Sequence, residues 1–374
     1  MIAVLIGTRP GIIKMSPIVD ELQARDVSYL IIHSGQHYSL SMDRDIMKDV
    51  GLGKPHYQVL RPLDCISHAQ QTAYMLTGIE EVLLKERPDI LLVCGDANTN
   101  MAGALAARKI HVQVGHVEAG LRSCDWRMPE EHNRVIIDHI SEYLFAPTQL
   151  AKRNLLKDGV TGKVFVVGNT IVDATLKYSR IAKKKKQAEL SRLTKGMPYA
   201  LLTLHREENV DNKEVLSNII GAVKQISSKD RLKIIFPIHP RTKERLRAFG
   251  MQKQVEEIAN LRLIEPLGYL VFLAILSEAT LVMTDSGGIQ EESCILGIPC
   301  LTLRESTERQ ETIELGSNRL AGTQEQRIVE VFESVVQSMK DRKTWKNPYG
   351  DGKASRRIVD ICINGRPEDE FRGY

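Results

Sequence analysis

Short apolar runs alternate with longer helical patterns along almost the whole chain. The predicted strands cover residues 2–6, 29–33, 90–93, 112–116, 143–146, 164–167, 199–204, 232–238, 261–264, 281–284 and 300–303. The clearest helical patterns between them cover residues 15–25 and 72–86. Alternation of this kind is typical of parallel sheets that are covered by helices on both faces.

The alternation falls into two blocks, which separate near Gly168-Asn169-Thr170. With 374 residues, the chain is long enough for two domains with a core each. We therefore predict an α/β protein with two doubly wound, Rossmann-like domains: residues 1–169 with a crossover helix within 353–374, and residues 170–352. Such domains bind ligands at the carboxyl ends of their strands, so we expect the ligand in the cleft between the domains.

Composition narrows the class of protein. A hydrophobic fraction of 43% with 26% charged residues is ordinary for a globular enzyme, and the net charge is only +4. The basic run at 183–186 is expected to be a solvated surface, so we expect no nucleic-acid partner. No stretch reaches the ~18 apolar residues of a membrane span, so we expect no membrane partner. Six cysteines without CxxC pairs or disulfide-like spacing favour a reducing cytoplasm.

The loop after the first predicted strand carries two cations. In GTRPGIIK at 7–14, Pro10 suits the first turn of a helix. Arg9 can bridge phosphate oxygens with two hydrogen bonds, and Lys14 supplies a mobile positive charge. The alternative is a surface Arg and Lys without a ligand.

Three acidic residues of the first half are candidate acid or base groups. Asp96 and Glu118 come after the predicted strands at 90–93 and 112–116, and Glu130 opens a predicted helix. Asp96 would need no function if it were an N-cap residue, and the helix dipole accounts for one acidic residue at a helix start. Capping does not explain why three acidic loops converge.

A turn of small residues in the second half is a candidate anion site. TDSGGIQEE at 284–292 follows a predicted buried strand and leads into a helical pattern. Backbone N–H groups of Ser286, Gly287 and Gly288 can approach an anion such as a diphosphate, and the helix dipole favours negative charge there. Glu292, about one turn later, could reach sugar hydroxyls of the same ligand. The alternative is a tight turn with no ligand.

His205 and His239 follow the first two predicted strands of the second half. With Arg9, Lys14, Arg309 and the glycine turn they would form a cationic wall, and the three carboxylates an acidic wall opposite. Such a cleft suits the departure of a phosphate-type leaving group while carboxylates move protons on the rest of the substrate. Neutralisation of that group by cations and amides would make a metal or other cofactor unnecessary.

Other common sites find little support in the sequence. It has no HExxH, no zinc-type His/Cys spacing, no GxGxxG and no GxxxxGK[ST]. A metal pair of His116 and Glu118 is conceivable, because alternate residues of a strand point the same way. We nevertheless expect no metal.

The motifs, in their order, resemble those of the non-hydrolysing UDP-N-acetylglucosamine 2-epimerases. The similarity spans nearly the whole chain and is specific as a set. The motifs are GTRPGIIKMSP at 7–17, GDANTN at 95–100, GHVEAGLRS at 115–123, PEEHNR at 129–134, LHREEN at 204–209, DSGGIQEE at 285–292, STERQE at 306–311 and NPYGDG at 347–352. The resemblance implies the two-domain fold of the GT-B glycosyltransferases and, by analogy, a homodimer.

The resemblance also implies a reaction in two halves. UDP is eliminated from UDP-N-acetylglucosamine (UDP-GlcNAc) with loss of the C2 proton, which leaves an enzyme-held 2-acetamidoglucal. UDP then adds back while a proton reaches the opposite face of C2, giving UDP-ManNAc.

Roles for individual residues follow from the matching positions. Asp96, Glu118 and Glu130 match the acidic acid/base groups, without an assignment of each to one face of C2. His205 matches a catalytic or diphosphate-contacting histidine, and Lys14 is counted with both the catalytic and the phosphate group. The remaining nucleotide positions are matched by Arg9, Phe272 (beside the uracil), Ser286, Gly287, Gly288, Glu292 (on the ribose) and Arg309.

The chain departs from the family pattern at Gly11, Cys94 and Gln310, where Glu, His and Pro are usual. The segment CDWRMP at 124–129 is closer to relatives that act on a 2,3-diacetamido UDP-uronic acid, so a 2-epimerase of that sugar is one alternative. A hydrolysing epimerase, a GT-B glycosyltransferase and a sugar-nucleotide sensor without turnover are the others.

One loop bears on regulation. Gln36 and His37 match part of a loop where bacterial relatives bind a second UDP-GlcNAc as an activator, but Tyr38, Ser39 and Leu40 do not. We expect no such regulation here.

Overall fold

The computed structural model describes residues 1–36, 40–59, 67–194, 196–229, 232–338, 345–366 and 371, apart from the side chains of 40–42, 186–187 and 189–190. Most of the loop considered for an activator therefore lies outside the described residues. The chain divides into two compact units. Unit 1 comprises Met1–Leu176 and Pro348–Tyr374, and unit 2 comprises Lys177–Asn347. The sequence-based boundaries, 169 and 352, lie a few residues away from these.

Unit 1 contains a parallel sheet, with seven strands among the described residues. They are β1 (Ile2–Ile6), β2 (Tyr29–His33), β3 (Tyr57–Gln58), β4 (Ile90–Cys94), β5 (Gln113–Val117), β6 (Tyr143–Ala146) and β7 (Lys163–Val166). Their spatial order is β3-β2-β1-β4-β5-β6-β7, and every pairing is parallel. β1 and β4 are buried along their full length, as strands covered on both faces should be.

Unit 2 repeats the scheme with six strands in the part of the chain that is described. They are β8 (Tyr199–Thr203), β9 (Lys233–Pro237), β10 (Leu261–Ile264), β11 (Leu281–Thr284), β12 (Cys300–Thr302) and β13 (Asn318–Leu320). Their spatial order is β10-β9-β8-β11-β12-β13, again with parallel pairings.

Helices connect the strands on both faces of each sheet. In chain order they are α1 (Arg9–Ala24), α2 (Leu40–Asp49), α3 (His68–Glu86), α4 (Asn98–Lys109), α5 (Pro129–Ile140), α6 (Gln149–Asp158), α7 (Thr170–Thr194), α8 (Glu207–Val210), α9 (Lys213–Ser227), α10 (Pro240–Ala248), α11 (Gln252–Glu256), α12 (Tyr269–Glu278), α13 (Gly287–Leu296), α14 (Gln310–Glu314), α15 (Glu325–Ser338) and α16 (Ala354–Asn364). The boundary of the units falls within α7, and α16 packs against α1 in unit 1.

The strand order reverses at one place in each sheet. In unit 1, β1 lies between β2 and β4, so the chain winds away from β1 in both directions. In unit 2, β8 lies between β9 and β11 in the same way. A crevice opens at the carboxyl ends of strands where the order reverses, and open α/β sheets bind ligands there. The loops after β1, β4, β8 and β11 are therefore the first places to look for a site.

The predicted fold class is confirmed: both units are α/β, with doubly wound parallel sheets. Several boundaries differ from the prediction. α1 begins at Arg9 rather than at residue 15, and β5 runs one residue later than predicted. β3 and β13 were not predicted, because they are two and three residues long and carry polar side chains.

No helix of the described part of the chain is both long and apolar enough to cross a membrane.

Candidate active site

The loop after β1 leads directly into α1 at the switch point of unit 1. The Thr8 side chain caps this helix by accepting the Gly11 N–H, and Pro10 lies in its first turn as predicted. Arg9 opens the helix and is only partly exposed. Burial lowers the pKa of its guanidinium, although the Asp43 carboxylate works in the opposite direction.

Lys14 on α1 is buried against Glu118, contrary to the prediction of a mobile charge. Its Nζ lies 2.5 Å from Glu118 Oε1, and both side chains are about one-twentieth exposed, at 6% and 5%. The same oxygen accepts a hydrogen bond from Asn169 Nδ2 at 2.9 Å. Lys14 therefore belongs to the carboxylate cluster and not to a separate cationic wall, because its ion pair joins α1 to the residue that follows β5.

Glu118 follows β5 with a φ of +74°, so its backbone leaves the strand direction. Its Oε2 lies against the turn that carries Asp96, since a Cβ added to Gly95 would be 3.2 Å from that oxygen. The structure thus brings Glu118 next to the loop after β4, as the parallel register of the two strands requires.

Asp96 is held by an arginine and does not cap a helix. The N-cap residue of α4 is Ala97, without a side-chain hydrogen bond, so the capping alternative for Asp96 is wrong. Its carboxylate pairs with a guanidinium N–H of Arg134, which is itself buried, while about a third of the Asp96 side chain stays exposed.

The two acidic residues at the start of α5 differ in their surroundings. Glu131 is buried and accepts hydrogen bonds from Ser123 N, Ser123 Oγ, Cys124 N and Arg134 Nη1, at 2.7 to 3.0 Å. Burial acts to raise the pKa of Glu131, but these hydrogen bonds and the Arg134 charge outweigh it and leave the pKa lowered. Glu131 thus has a structural role: its carboxylate holds the backbone at 123–124 and the Arg134 side chain. Glu130 is partly exposed and lies one turn before Arg134 on the same side of α5.

His116 is not half of a metal site. It is fully buried, with Nδ1 2.7 Å from Asp138 Oδ1 and Nε2 3.1 Å from the Gly95 carbonyl oxygen. Since β5 ends at Val117, the alternation that would align His116 with Glu118 stops between them. His116 instead supports the Gly95 turn. Among the described residues no group of three or more His, Cys, Asp and Glu residues could hold a metal ion.

The switch point of unit 2 is organised around Asp285, which follows β11 and is fully buried. Its carboxylate accepts the backbone N–H groups of His205 and Arg206, at 2.9 Å to Oδ2, and lies 3.1 Å from His205 Nδ1. Burial acts to raise the pKa of Asp285, whereas His205 and these amides outweigh it and leave the pKa lowered. With Nδ1 on the carboxylate, Nε2 is the His205 nitrogen left for a ligand. The His239 ring lies 5.6 Å away, so the two predicted histidines meet.

Helix α13 begins as the predicted anion site requires. Ser286 is its N-cap residue without a side-chain capping bond, and its first turn holds no acidic residue. A Cβ on Gly287 would lie 2.6 Å from Glu308 Oε1, so a larger residue there would require the Glu308 side chain to move. A Cβ on Gly288 would meet nothing within 4 Å, so packing does not demand a glycine at that position. Small size at Gly288 suits the close approach of a ligand to the helix start.

The remaining predicted nucleotide residues surround α13. Glu292 is buried and accepts a hydrogen bond from Tyr269 Oη at 3.1 Å; burial, with the Glu292 charge, raises the pKa of that hydroxyl. Arg309 is also buried, with Nε 2.7 Å from Glu291 Oε1, so carboxylates engage its guanidinium. Phe272 is partly exposed on α12, in the same unit.

Sequence reasoning missed three residues that hold the predicted ones. Arg134 and Asp285 lie in the motifs PEEHNR and DSGGIQEE, but no role was predicted for them. Asn169 was predicted only to lie at the border between the two domains. The hint in the sequence was a charged or amide residue close to a predicted acid or histidine. The sequence alone could not show which residue it contacts.

Comparison with known proteins identifies the family. The family model described as UDP-N-acetylglucosamine 2-epimerase matches residues 20–363. A "UDP-N-acetylglucosamine 2-epimerase" of Methanococcus maripaludis is 49% identical over 365 residues, which cover 97% of this chain and 98% of the relative. A "UDP-2,3-diacetamido-2,3-dideoxy-D-glucuronate 2-epimerase" of Pseudomonas aeruginosa is 37% identical over 96% of this chain and 98% of the relative.

Solved structures agree with the sequences. The crystal structure of the Methanocaldococcus jannaschii UDP-GlcNAc 2-epimerase, in complex with UDP-GlcNAc and UDP, superposes with a TM-score of 0.90. It is 49% identical, and the match covers 97% of this chain and 99% of that one. The predicted GT-B fold class is thereby confirmed. The chain belongs to the UDP-N-acetylglucosamine 2-epimerase family.

Proposed function

We propose that the protein interconverts UDP-GlcNAc and UDP-ManNAc without net hydrolysis. The family membership and the relatives that carry this activity in their names support the epimerisation. The observation that carries the mechanism is the pair Asp96 and Glu118. These carboxylates follow the adjacent parallel strands β4 and β5, and each is paired with a buried cation, Arg134 or Lys14.

In the first half-reaction a carboxylate takes the proton from C2 while the bond between C1 and the diphosphate oxygen breaks. The electron pair of the C2–H bond forms the C1–C2 double bond of 2-acetamidoglucal, and the C1–O pair leaves with UDP. In the second half the diphosphate oxygen attacks C1 and a carboxyl group delivers a proton to C2 from the opposite face. Asp96, Glu118 and Glu130 are the groups that take and deliver these protons.

The leaving group is the charge that the protein must stabilise. In unit 2, the first-turn amides at Ser286, Gly287 and Gly288 are suited to diphosphate oxygens, and an imidazolium at His205 would donate from Nε2 to the same group. Arg9 and Arg309 are the residues proposed to add positive charge at the diphosphate. Glu292 would bind the ribose hydroxyls, and Phe272 would lie beside the uracil.

Incubation of the protein with UDP-GlcNAc in D₂O tests the proposal. We expect deuterium at C2 of both UDP-sugars, with no accumulation of free UDP. In a parallel sample, ¹⁸O in the C1–O–P bridge should scramble into non-bridging diphosphate positions, because the C1–O bond breaks and re-forms. Accumulation of free ManNAc with UDP would instead establish a hydrolysing enzyme. Recovery of UDP-GlcNAc that is unchanged and carries no deuterium would contradict the proposal.

The diacetamido uronate is the second candidate substrate, because of the relative from Pseudomonas aeruginosa. A uronate carboxylate would need a cation near the 124–129 segment. The exposed guanidinium of Arg127 in that segment already binds Asp125, at 2.8 and 2.7 Å. A comparison of kcat/KM for the two sugars decides between them.

A further inference from the structure

The chain runs from β7 towards unit 2 through residues 168–170 and comes back to α16 through residues 348–352. These two segments, the outgoing and the returning passage, contact each other. Asn169 N donates a hydrogen bond to the Tyr349 carbonyl oxygen at 2.7 Å. Gly168 has a φ of +90° and Gly350 a φ of +128°, so both favour glycine. A Cβ on Gly350 would lie 3.2 Å from Gly168 Cα. The two backbones are therefore fixed against each other.

Asn169 connects this contact to a proposed catalytic residue. Its side chain is buried, at 1% exposure. Oδ1 accepts the Ile171 N–H at 3.1 Å, and Nδ2 donates to Glu118 Oε1 at 2.9 Å. One residue thus contacts the returning passage, the start of α7 and Glu118.

Helix capping alone does not account for asparagine at this position. Because α7 begins at Thr170, Asn169 occupies its N-cap position, where the Oδ1 acceptor is sufficient. Serine, threonine and aspartate supply such an acceptor equally well. An amide, however, has separate acceptor and donor atoms, and here the donor is directed at a carboxylate.

We propose that Asn169 is a positioning residue that orients Glu118 for proton transfer and couples this orientation to the two chain passages. The inference rests on the proposed function, in which Glu118 is an acid or base. Lys14 Nζ and Asn169 Nδ2 both donate to Oε1, which fixes the rotation of the carboxylate. Oε2, over the Gly95 turn, is then the oxygen that exchanges the proton. A shift of either passage moves Asn169 and with it Glu118.

The variant Asn169→Ser separates capping from positioning. Serine caps helices about as well as asparagine, but its single short side-chain oxygen cannot also reach Glu118. We expect kcat to fall roughly ten- to a hundredfold, the scale of a lost hydrogen bond to a charged group. KM and the Kd for UDP should stay close to wild type, and the thermal midpoint should fall only by the effect of one lost donor to the buried Glu118 charge. Asn169→Ala should lose as much kcat and should be less stable than Asn169→Ser, because it also loses the helix cap. Wild-type kcat in Asn169→Ser would overturn the proposal.

The variant Gly350→Ala tests the coupling, because it strains a passage without touching Glu118. We expect kcat to fall severalfold in the wild-type background and to show no further fall in Asn169→Ser, since contacting groups are not additive. Gly159→Ala is the control: Gly159 also has a positive φ, but its added Cβ meets nothing within 4 Å. Unchanged kcat in Gly350→Ala, or additive losses in the double variant, would overturn the coupling.

Deuterium exchange at C2 by the wild-type protein keeps the two claims apart. A wild-type protein without exchange contradicts the proposed function. An active wild-type protein whose Asn169→Ser variant is equally active contradicts only the role of Asn169.

Discussion

Lys14 and Glu118 form a buried ion pair, with Nζ 2.5 Å from Oε1, although 104 residues separate them along the chain. Lys14 lies on the helix that follows β1, and Glu118 follows β5 at the carboxyl edge of the same sheet. Two buried charges that satisfy each other are tolerated at low cost, whereas either one alone is not. This pair therefore links the stability of unit 1 to its proposed chemistry.

The variant Lys14→Met should lower the free energy of unfolding by ~3–5 kcal/mol, because it leaves the Glu118 charge buried with one donor fewer. The double variant with Glu118→Gln should recover a large part of this loss, since no charge then remains. Urea unfolding at pH 7 measures both values. Additive losses in the double variant would contradict a coupled pair.

The variants Asp96→Asn and Glu118→Gln should each slow turnover by roughly 10²–10⁴, the usual effect of losing an acid or base group. The Kd for UDP should remain near that of the wild type, since neither residue is proposed to bind the nucleotide. Asp89→Asn is a matched control, because Asp89 precedes the same strand β4 at its other end and is 83% exposed. Normal turnover in either active-site variant would remove that residue from the mechanism.

Glu131 should make the protein sensitive to acid. Its pKa is lowered from the ordinary 4.5, so it stabilises the fold above that pH and loses this effect as the pH falls through the lowered value. Glu131→Gln should cost about 1–3 kcal/mol at pH 7, where hydrogen bonds to a charged group are lost. Urea unfolding curves should show that the difference in unfolding free energy between wild type and Glu131→Gln shrinks as the pH falls below about 5. A difference that stays constant with pH would contradict this role.

Asp285→Asn should weaken UDP binding by roughly tenfold, because His205 loses the carboxylate that orients its ring. Calorimetric titration with UDP measures the change. His139→Asn, an exposed histidine of unit 1, should bind UDP normally. Wild-type affinity in Asp285→Asn would show that His205 orientation does not matter for the diphosphate.

The sheets could be predicted because buried parallel strands produce short apolar runs, and helices separate them. β3 and β13 were not predicted, because pairing with neighbouring strands determines such short strands more than their own side chains do. Apolar periodicity alone placed the start of α1 at residue 15, although Pro10 indicated an earlier first turn. Arg9 gives no apolar signal, and its helical state depends on the Thr8 cap.

The proposed site was predictable only in part. Asp96 and Glu118 could be placed at strand ends, because parallel strands bring their carboxyl ends to one edge. Their partners could not be: Arg134 lies 38 residues from Asp96, and Asn169 lies 51 residues from Glu118. Such pairings arise from packing in three dimensions and leave no periodic trace in a single sequence.

The left-handed backbone at Glu118 has a consequence for how this chain can change over generations. A side chain with a Cβ in that conformation costs about 1–3 kcal/mol, which glycine would avoid. The buried Lys14 charge holds the acidic residue in place, because removing Glu118 alone would cost more than the backbone relief returns. In a descendant released from its reaction, glycine at position 118 should therefore spread only together with a replacement of Lys14 by an uncharged residue.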